Sequence, residues 1–287
     1  MPKTTFKESL IKNQVALDMY VERLINIALS CFKWENLPET VDSRYIELML
    51  FTQGQAIFFN DDVAGFLCLA CLPGGNFDVY GYPEKRTAKG FNAYQKSNLN
   101  NTDSVIIYNN LTHTPSEKII RQFCERLANI DRTIDVNVNA QKTPTLLTCD
   151  ESQRLTMKNL YMQYDGNAPV IYGDKNLDIN NVQSISTNAE FKGLNLYDLK
   201  SKIWNEALTY LGIANLQSQK KERLITDEVN KSLGGTLACR QSRLIERKIA
   251  CERINKMFGL NIDCVFNDDV LSELGEVGEN ERIHDGN

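Results

Sequence analysis

The first residues that could do chemistry are Cys68-x-x-Cys71, a spacing that binds zinc or runs thiol exchange. A second CxxC is missing, and His113 and His284 are the only histidines. The pair also sits inside the apolar run VAGFLCLACL (63 to 72), where alternate residues face a core. It reads as two buried structural thiols, with neither metal nor cofactor expected. Asp174-x-Asn176-x-Asp178-x-Asn180 imitates the start of a calcium loop, but Ile179 occupies the glycine position and Ile185 the bidentate glutamate position. No GxxxxGK[ST] phosphate loop occurs anywhere. What remains is cationic. Lys220, Lys221 and Arg223 fall in one polar stretch, and Arg240, Arg243, Arg247, Lys248, Arg253 and Lys256 fall on one predicted helix. Taken alone, double lysines are most often solvated surface. The basic helix leaves open a sequence-tolerant DNA-binding protein acting through residues 240–256.

The elements that must position these cations are long helices around a β-rich stretch, an α+β fold. Leu199, Ile203, Ala207 and Leu211 step by four and predict a helix over 197–212. After Gly212 the pattern dissolves into polar and doubly basic sequence up to Gly234 and Gly235, which reads as a long loop over 213–236. Leu10, Leu17, Leu24 and Cys31 recur by sevens and predict a helix over 10–34, stopped by Pro38. Asp42 or Ser43 caps a short helix through Phe51. From Gln55 to Asn110, AIFF (56 to 59), VAGFLCLACL, TAKGFNAYQ (87 to 95) and SVIIYNN (104 to 110) predict strands, with turns at Asn60-Asp61-Asp62 and Pro73-Gly74-Gly75. Thr114-Pro115-Ser116-Glu117 reads as cap, first-position proline and capping-box glutamate of a helix carrying Ile120, Phe123, Leu127, Ile130 and Ile134 to about Asn139. Strands at 145–148 and 168–172 and a short helix ending at Tyr164 lie beyond it. Leu237, Leu244, Cys251 and Phe258, with Ile254, form a last helical stripe closed by Gly259.

With 287 residues, 42% apolar and 24% charged, the chain is an ordinary globular length for one large or two smaller domains. Between Asp263 and Asn287, eight acidic residues face only Arg282, a contribution of −7 to the net charge of −5 that leaves +2 for the rest. A globally basic surface, such as a tight nucleic-acid binder carries, is absent. No apolar run approaches the roughly 18 residues of a membrane span. MPKTTFKESLIKNQ has no signal-peptide core, so a reducing cytoplasm and free, buried cysteines are expected.

Seven strings carry a family resemblance: WENLPETV (34 to 41), SVIIYNN (104 to 110), NVNAQKTPTLL (137 to 147), YDGNAPVIY (164 to 172), IWNEALTYLGI (203 to 213), KKERLITDEV (220 to 229) and CERINKMFGLN (251 to 261). In this order they resemble the portal proteins of small short-tailed phages, the upper collar or head-tail connector proteins of the Picovirinae. The resemblance implies a non-enzymatic dodecameric ring at the capsid vertex of the virion, through whose channel double-stranded DNA is packaged and ejected. It implies partners in the major capsid or scaffolding protein, the packaging ATPase and the lower collar and tail proteins, and no membrane.

It also divides the chain into an N-terminal helix and β-rich wing with a small SH3-like barrel (1–115), stem helices (116–141 and 197–212), a clip (142–196), a tunnel loop (213–236), and a crown helix with acidic tail (237–287). Lys220 and Lys221 match the family's paired tunnel-loop lysines, with Arg223 beside them. Ser186 and Asn195 stand where relatives carry further channel lysines, and Lys192 and Lys200 are the candidate substitutes. The basic N-terminal arm of relatives that use a packaging RNA is thin, with only Lys3, Lys7 and Lys12, which puts RNA binding in doubt.

Overall fold

A computed structural model describes residues 3–141, 145–147, 182–184, 190–214 and 226–267. It divides into two compact units, one of Met1–Asn129 with Lys200–Asn287 and one of Ile130–Leu199. The described elements are mixed helix and sheet. In order they are α1 (Lys3–Ser30), β1 (Phe32–Glu35), α2 (Ser43–Gln53), β2 (Gln55–Asp61), β3 (Gly65–Phe77), β4 (Pro83–Lys89), β5 (Gln95–Leu99), β6 (Ser104–Tyr108), α3 (Glu117–Ala140), β7 (Thr145–Leu147), β8 (Val182–Ser184), α4 (Gly193–Leu211), α5 (Thr226–Phe258) and β9 (Asp263–Phe266). No described helix is long and apolar enough to cross a membrane.

In the first unit, β2 to β6 form an antiparallel sheet of strand order β5-β4-β3-β2-β6. One face buries Ile57, Phe59, Cys71, Ala88, Leu99, Ile106 and Tyr108 as a cluster. From the other face, Phe58 and Phe66 meet Phe258 of α5, with ring centroids 5.5–5.7 Å apart. Alternation along β3 therefore turns Cys68 and Cys71 to opposite faces, because residues three apart on a strand point opposite ways. A spacing that could chelate from a turn cannot do so here. Burial pushes the Cys71 thiol up to about 12 and Cys68 higher still, so neither is a thiolate near neutral pH. Cys68→Ala and Cys71→Ala are each expected to cost about 1–2 kcal/mol of core packing in urea unfolding. Stoichiometric zinc in the purified protein would contradict this reading of the pair.

The helix expected to continue to Trp34 ends at Ser30, and Phe32–Glu35 instead pairs antiparallel with Asp263–Phe266. The reason is visible in the alternation of FKWE, which buries Phe32 and Trp34 and exposes Lys33 and Glu35. Pairing with β9 also draws the start of the expected acidic tail into the core, where Cys264 is fully buried. Pro73-Gly74-Gly75 does not end its strand. β3 runs on to Phe77 with a register shift between Gly74 and Phe77, a bulge that accommodates residues otherwise read as a turn. TAKGFNAYQ is likewise a hairpin rather than a strand, since β4 stops at Lys89 and β5 starts at Gln95. Of the strands expected between 142 and 196, Thr145–Leu147 is present and pairs with Val182–Ser184, while 168–172, the short helix and the calcium-like run lie outside the described residues.

Helix ends follow local chemistry. The Asp42 side chain accepts from the Arg44 N–H at 2.9 Å and caps α2, and Gly54 ends it with φ +79°. A Cβ on Gly54 would lie 2.7 Å from the Pro115 nitrogen, so only glycine lets the lead into α3 pass. The start of α3 at Glu117 places Ser116, not Thr114, at the cap. The Ser116 N–H donates to the Phe51 carbonyl and its Oγ accepts from Asn109 Nδ2 at 2.8 Å.

Lys248 on α5 holds β9 through Asp263, with Nζ 2.7 and 2.8 Å from the two carboxylate oxygens. This hydrogen bond lowers the Asp263 pKa and raises that of Lys248. The carboxylate's contribution is present above its unfolded value near ~3.9 and is lost as pH falls through the lower folded value. The lysine's is present below ~10.4 and is lost as pH rises through the higher folded value. The pair is half exposed, so the effect is modest. Lys248→Met is expected to flatten both the acid and the alkaline shoulder of a plot of Tm against pH. Unchanged shoulders would rule the pair out as their source.

Candidate nucleic-acid interface

Lys192 precedes α4 in the second unit, and Asn137 of α3 fixes its backbone. The Lys192 N–H donates to Asn137 Oδ1 at 3.0 Å, and Asn137 Nδ2 donates to the Glu190 carbonyl at 2.9 Å. The ammonium is exposed and lies 3.2 Å from the Glu190 carboxylate. Lys200 is half-buried, with Nζ 5.7 Å from the centroid of the Tyr20 ring. Tyr20 in turn packs at 6.4 Å from Trp204, over which Arg23 stacks at 4.3 Å. Lys192 is thus presented to solvent, whereas Lys200 is engaged on the α1–α4 contact. Lys220, Lys221 and Arg223 lie outside the described residues. The loop read over 213–236 is corrected at its far end, because α5 is already helical from Thr226. Gly234 and Gly235, taken as loop residues, are inside that helix, where glycine lowers helix propensity without forbidding the conformation.

Three arginines of α5 are turned toward neighbouring elements. Arg240 Nε donates to the Gly212 carbonyl at 3.1 Å and Arg243 Nη1 to the Leu211 carbonyl at 3.0 Å, so two arginines satisfy the open C-terminus of α4. Arg240 also lies 3.8 Å over Phe266, and Arg243 and Arg247 lie 4.9 and 4.0 Å over Phe32. A Cβ on Gly212, at φ +82°, would lie 2.8 Å from Arg240 Cα, which keeps that crossing glycine-only.

Arg247 is fully buried, and its fork meets Glu47 of α2 at 2.9 Å (Nε to Oε1) and 2.8 Å (Nη2 to Oε2). Its Nη1 donates to the carbonyls of Asn109 and Arg243, both at 2.9 Å. Trp34 Nε1 donates to the same Glu47 Oε1 at 2.9 Å. Burial alone depresses the Arg247 pKa, and the Glu47 carboxylate outweighs it, leaving the guanidinium above its ordinary value. One ion pair therefore ties α2, β1, the β6–α3 connection and α5 together. DNA binding through helix 240–256 loses Arg240, Arg243, Arg247 and Lys248 to these contacts, and only Arg253 and Lys256 of the six are exposed. The hub was readable in one respect: Arg247 falls three residues after Leu244, four before Cys251 and seven before Ile254, on the apolar stripe itself.

The chain matches the family model Phage Connector (GP10) over residues 5–271. Among solved structures it is similar to a chain of "Portal and tail of native bacteriophage P68", at 15% identity and TM-score 0.53, covering 99% of this chain and 98% of that one. Weaker likenesses are to a chain of the virion of a native gene transfer agent particle (10% identity, TM-score 0.43, 92% and 83% covered) and to an HK97 family phage portal protein from Corynebacterium diphtheriae (9%, 0.43, 90% and 95%). The P68 likeness is one of fold over the full length of both chains. With the family model spanning nearly the whole sequence, the chain belongs to the Phage Connector (GP10) family.

Proposed function

We propose that this protein is a portal subunit: it closes into a ring at the capsid vertex of a phage virion, and double-stranded DNA is packaged and ejected through the ring's channel. The observation that carries the reading is the family match over residues 5–271. Exposed apolar stripes add support. Ile11, Val15 and Met19 step by four on α1, and Leu194, Tyr197 and Leu199 lie exposed on α4, surface of the kind that a neighbouring subunit covers in a closing head-to-tail interface. A dodecamer is the ring the family resemblance implies. We read the five-stranded sheet as the wing with its SH3-like barrel, α3 and α4 as the stem, the 142–196 segment as the clip and α5 as the crown. Lys220, Lys221 and Arg223 are assigned to the channel lining, with Lys192 as a further contact and Lys200 as a weaker candidate because Tyr20 already engages it. Capsid or scaffolding protein, a packaging ATPase and the lower collar and tail are the docking partners, and the role is that of a conduit rather than an enzyme.

Capsids assembled with this protein and supplied with the packaging ATPase are expected to take up nuclease-protected DNA, and capsids assembled without it none. Equal protection in its absence would overturn the reading.

A further inference from the structure

A cavity of about 530 Å³ opens in the first unit between the sheet and the last turns of α5, and it is lined by cations that none of the contacts above employs. Arg86 of β4 lines it and is only 5% exposed. Its Nη1 donates to the Ser104 carbonyl at 3.0 Å, its Nη2 to Asn101 Oδ1 and the Pro83 carbonyl, and its Nε has no acceptor among the described residues. These acceptors are neutral. A buried guanidinium with neutral acceptors and one orphaned N–H is costly, and burial accordingly lowers its pKa, an effect that Cys71, Tyr108 and Asp103 oppose without cancelling and to which Arg253 adds a little.

Arg253 and Lys256 line the same cavity from α5, three residues and so one turn apart, and both are exposed. Tyr82 and Tyr108 bring two phenols, and burial pushes Tyr108 up to about 12, so it remains a donor at neutral pH. The one carboxylate on the lining, Asp78, is tied into its own turn, its Oδ1 accepting from the N–H groups of Tyr80 and Tyr82, both at 2.9 Å, and its single charge is outnumbered by the three cations. The wall between is apolar, formed by Val105, Ile106 and Met257.

From this geometry we infer that the cavity binds a small phosphate-bearing anion, with the phosphate held by Arg86, Arg253 and Lys256 and its organic body against the apolar wall. These donors arrive from a strand and a helix, with the Tyr108 phenol of β6 on the same lining, a convergence that suits the several oxygens of a phosphate better than the two coplanar oxygens of a carboxylate. The volume is that of a small-molecule site and not of a duplex groove. This inference does not depend on the portal reading, since every group in it lies within one unit of one chain.

Calorimetry on the purified full chain tests it, with inorganic phosphate as probe and acetate and a short blunt DNA duplex as comparison ligands at matched ionic strength. One phosphate per chain is expected, with acetate weaker. The exposed double variant Arg253→Gln/Lys256→Gln, which leaves the buried contacts intact, is expected to bind phosphate at least about tenfold less tightly, the loss of a charge-assisted contact. Duplex affinity is expected to be unchanged by it. Arg86→Lys, which keeps the charge but not the fork, is expected to weaken phosphate binding with the fold retained by circular dichroism. No phosphate binding by the wild type, affinity for acetate equal to that for phosphate, phosphate binding unaffected by the double variant, or a duplex affinity that falls in parallel would each overturn the inference.

Discussion

Arg247→Ala is expected to cost about 3–5 kcal/mol, because it strands the Glu47 carboxylate in a site where it is only 3% exposed. Set against a typical total of roughly 5–15 kcal/mol, that loss is a large fraction of the stability of the fold. Glu47→Ala is expected to be at least as damaging, since Trp34 Nε1 and the Arg247 guanidinium lose an acceptor together. The double variant Glu47→Leu/Arg247→Met removes both charges and refills the space with apolar side chains. It is expected to be far milder than the sum of the singles, although Trp34 still loses its partner. Urea unfolding of the four proteins measures the coupling. A double variant as destabilised as the two singles added together would mean that the pair acts as two independent residues and not as one hub.

The second large effect is expected at Lys220 and Lys221. Translocating DNA presents phosphates at every step, so a channel lining must attract the duplex without favouring any register. Ammonium groups on long flexible stems can pass from one phosphate to the next, and in a ring each is repeated around the circle. Lys220→Ala/Lys221→Ala is therefore expected to leave ring assembly and capsid formation intact while packaged DNA slips back before the tail is attached. Encapsidated DNA length per particle, at low and high salt, measures this. Full-length genomes in the double variant under both conditions would return the lysines to solvated surface.

Long apolar periodicities made α3, α4 and the C-terminal part of α5 legible, because burial of one helix face writes a repeat into the sequence. The pairing of Phe32–Glu35 with Asp263–Phe266 was not, since a four-residue alternation adjoining a strong helical repeat reads as its continuation and the partner strand lies more than two hundred residues away. The fate of the α5 arginines was misleading for a related reason. Charge on a helix suggests a solvent face, yet Arg240, Arg243 and Arg247 are spent on helix-end carbonyls, aromatic faces and one carboxylate, partners fixed only by the tertiary fold. Glu47 carried a faint signal, an acid beside Ile46, Met49 and Leu50 on the buried side of α2. Lys220 and Lys221 are proposed for the channel on family resemblance alone, and no local pattern distinguishes them from an ordinary basic surface.

Whether the protein closes into a ring with a channel is read by electron microscopy of the purified full chain, with native mass measured on the same sample. The prediction is a population of uniform rings of a single mass, each with an axial opening wide enough for a B-form duplex. Stable monomers at micromolar concentration, or small particles that shift DNA tightly in a gel without forming rings, would contradict it.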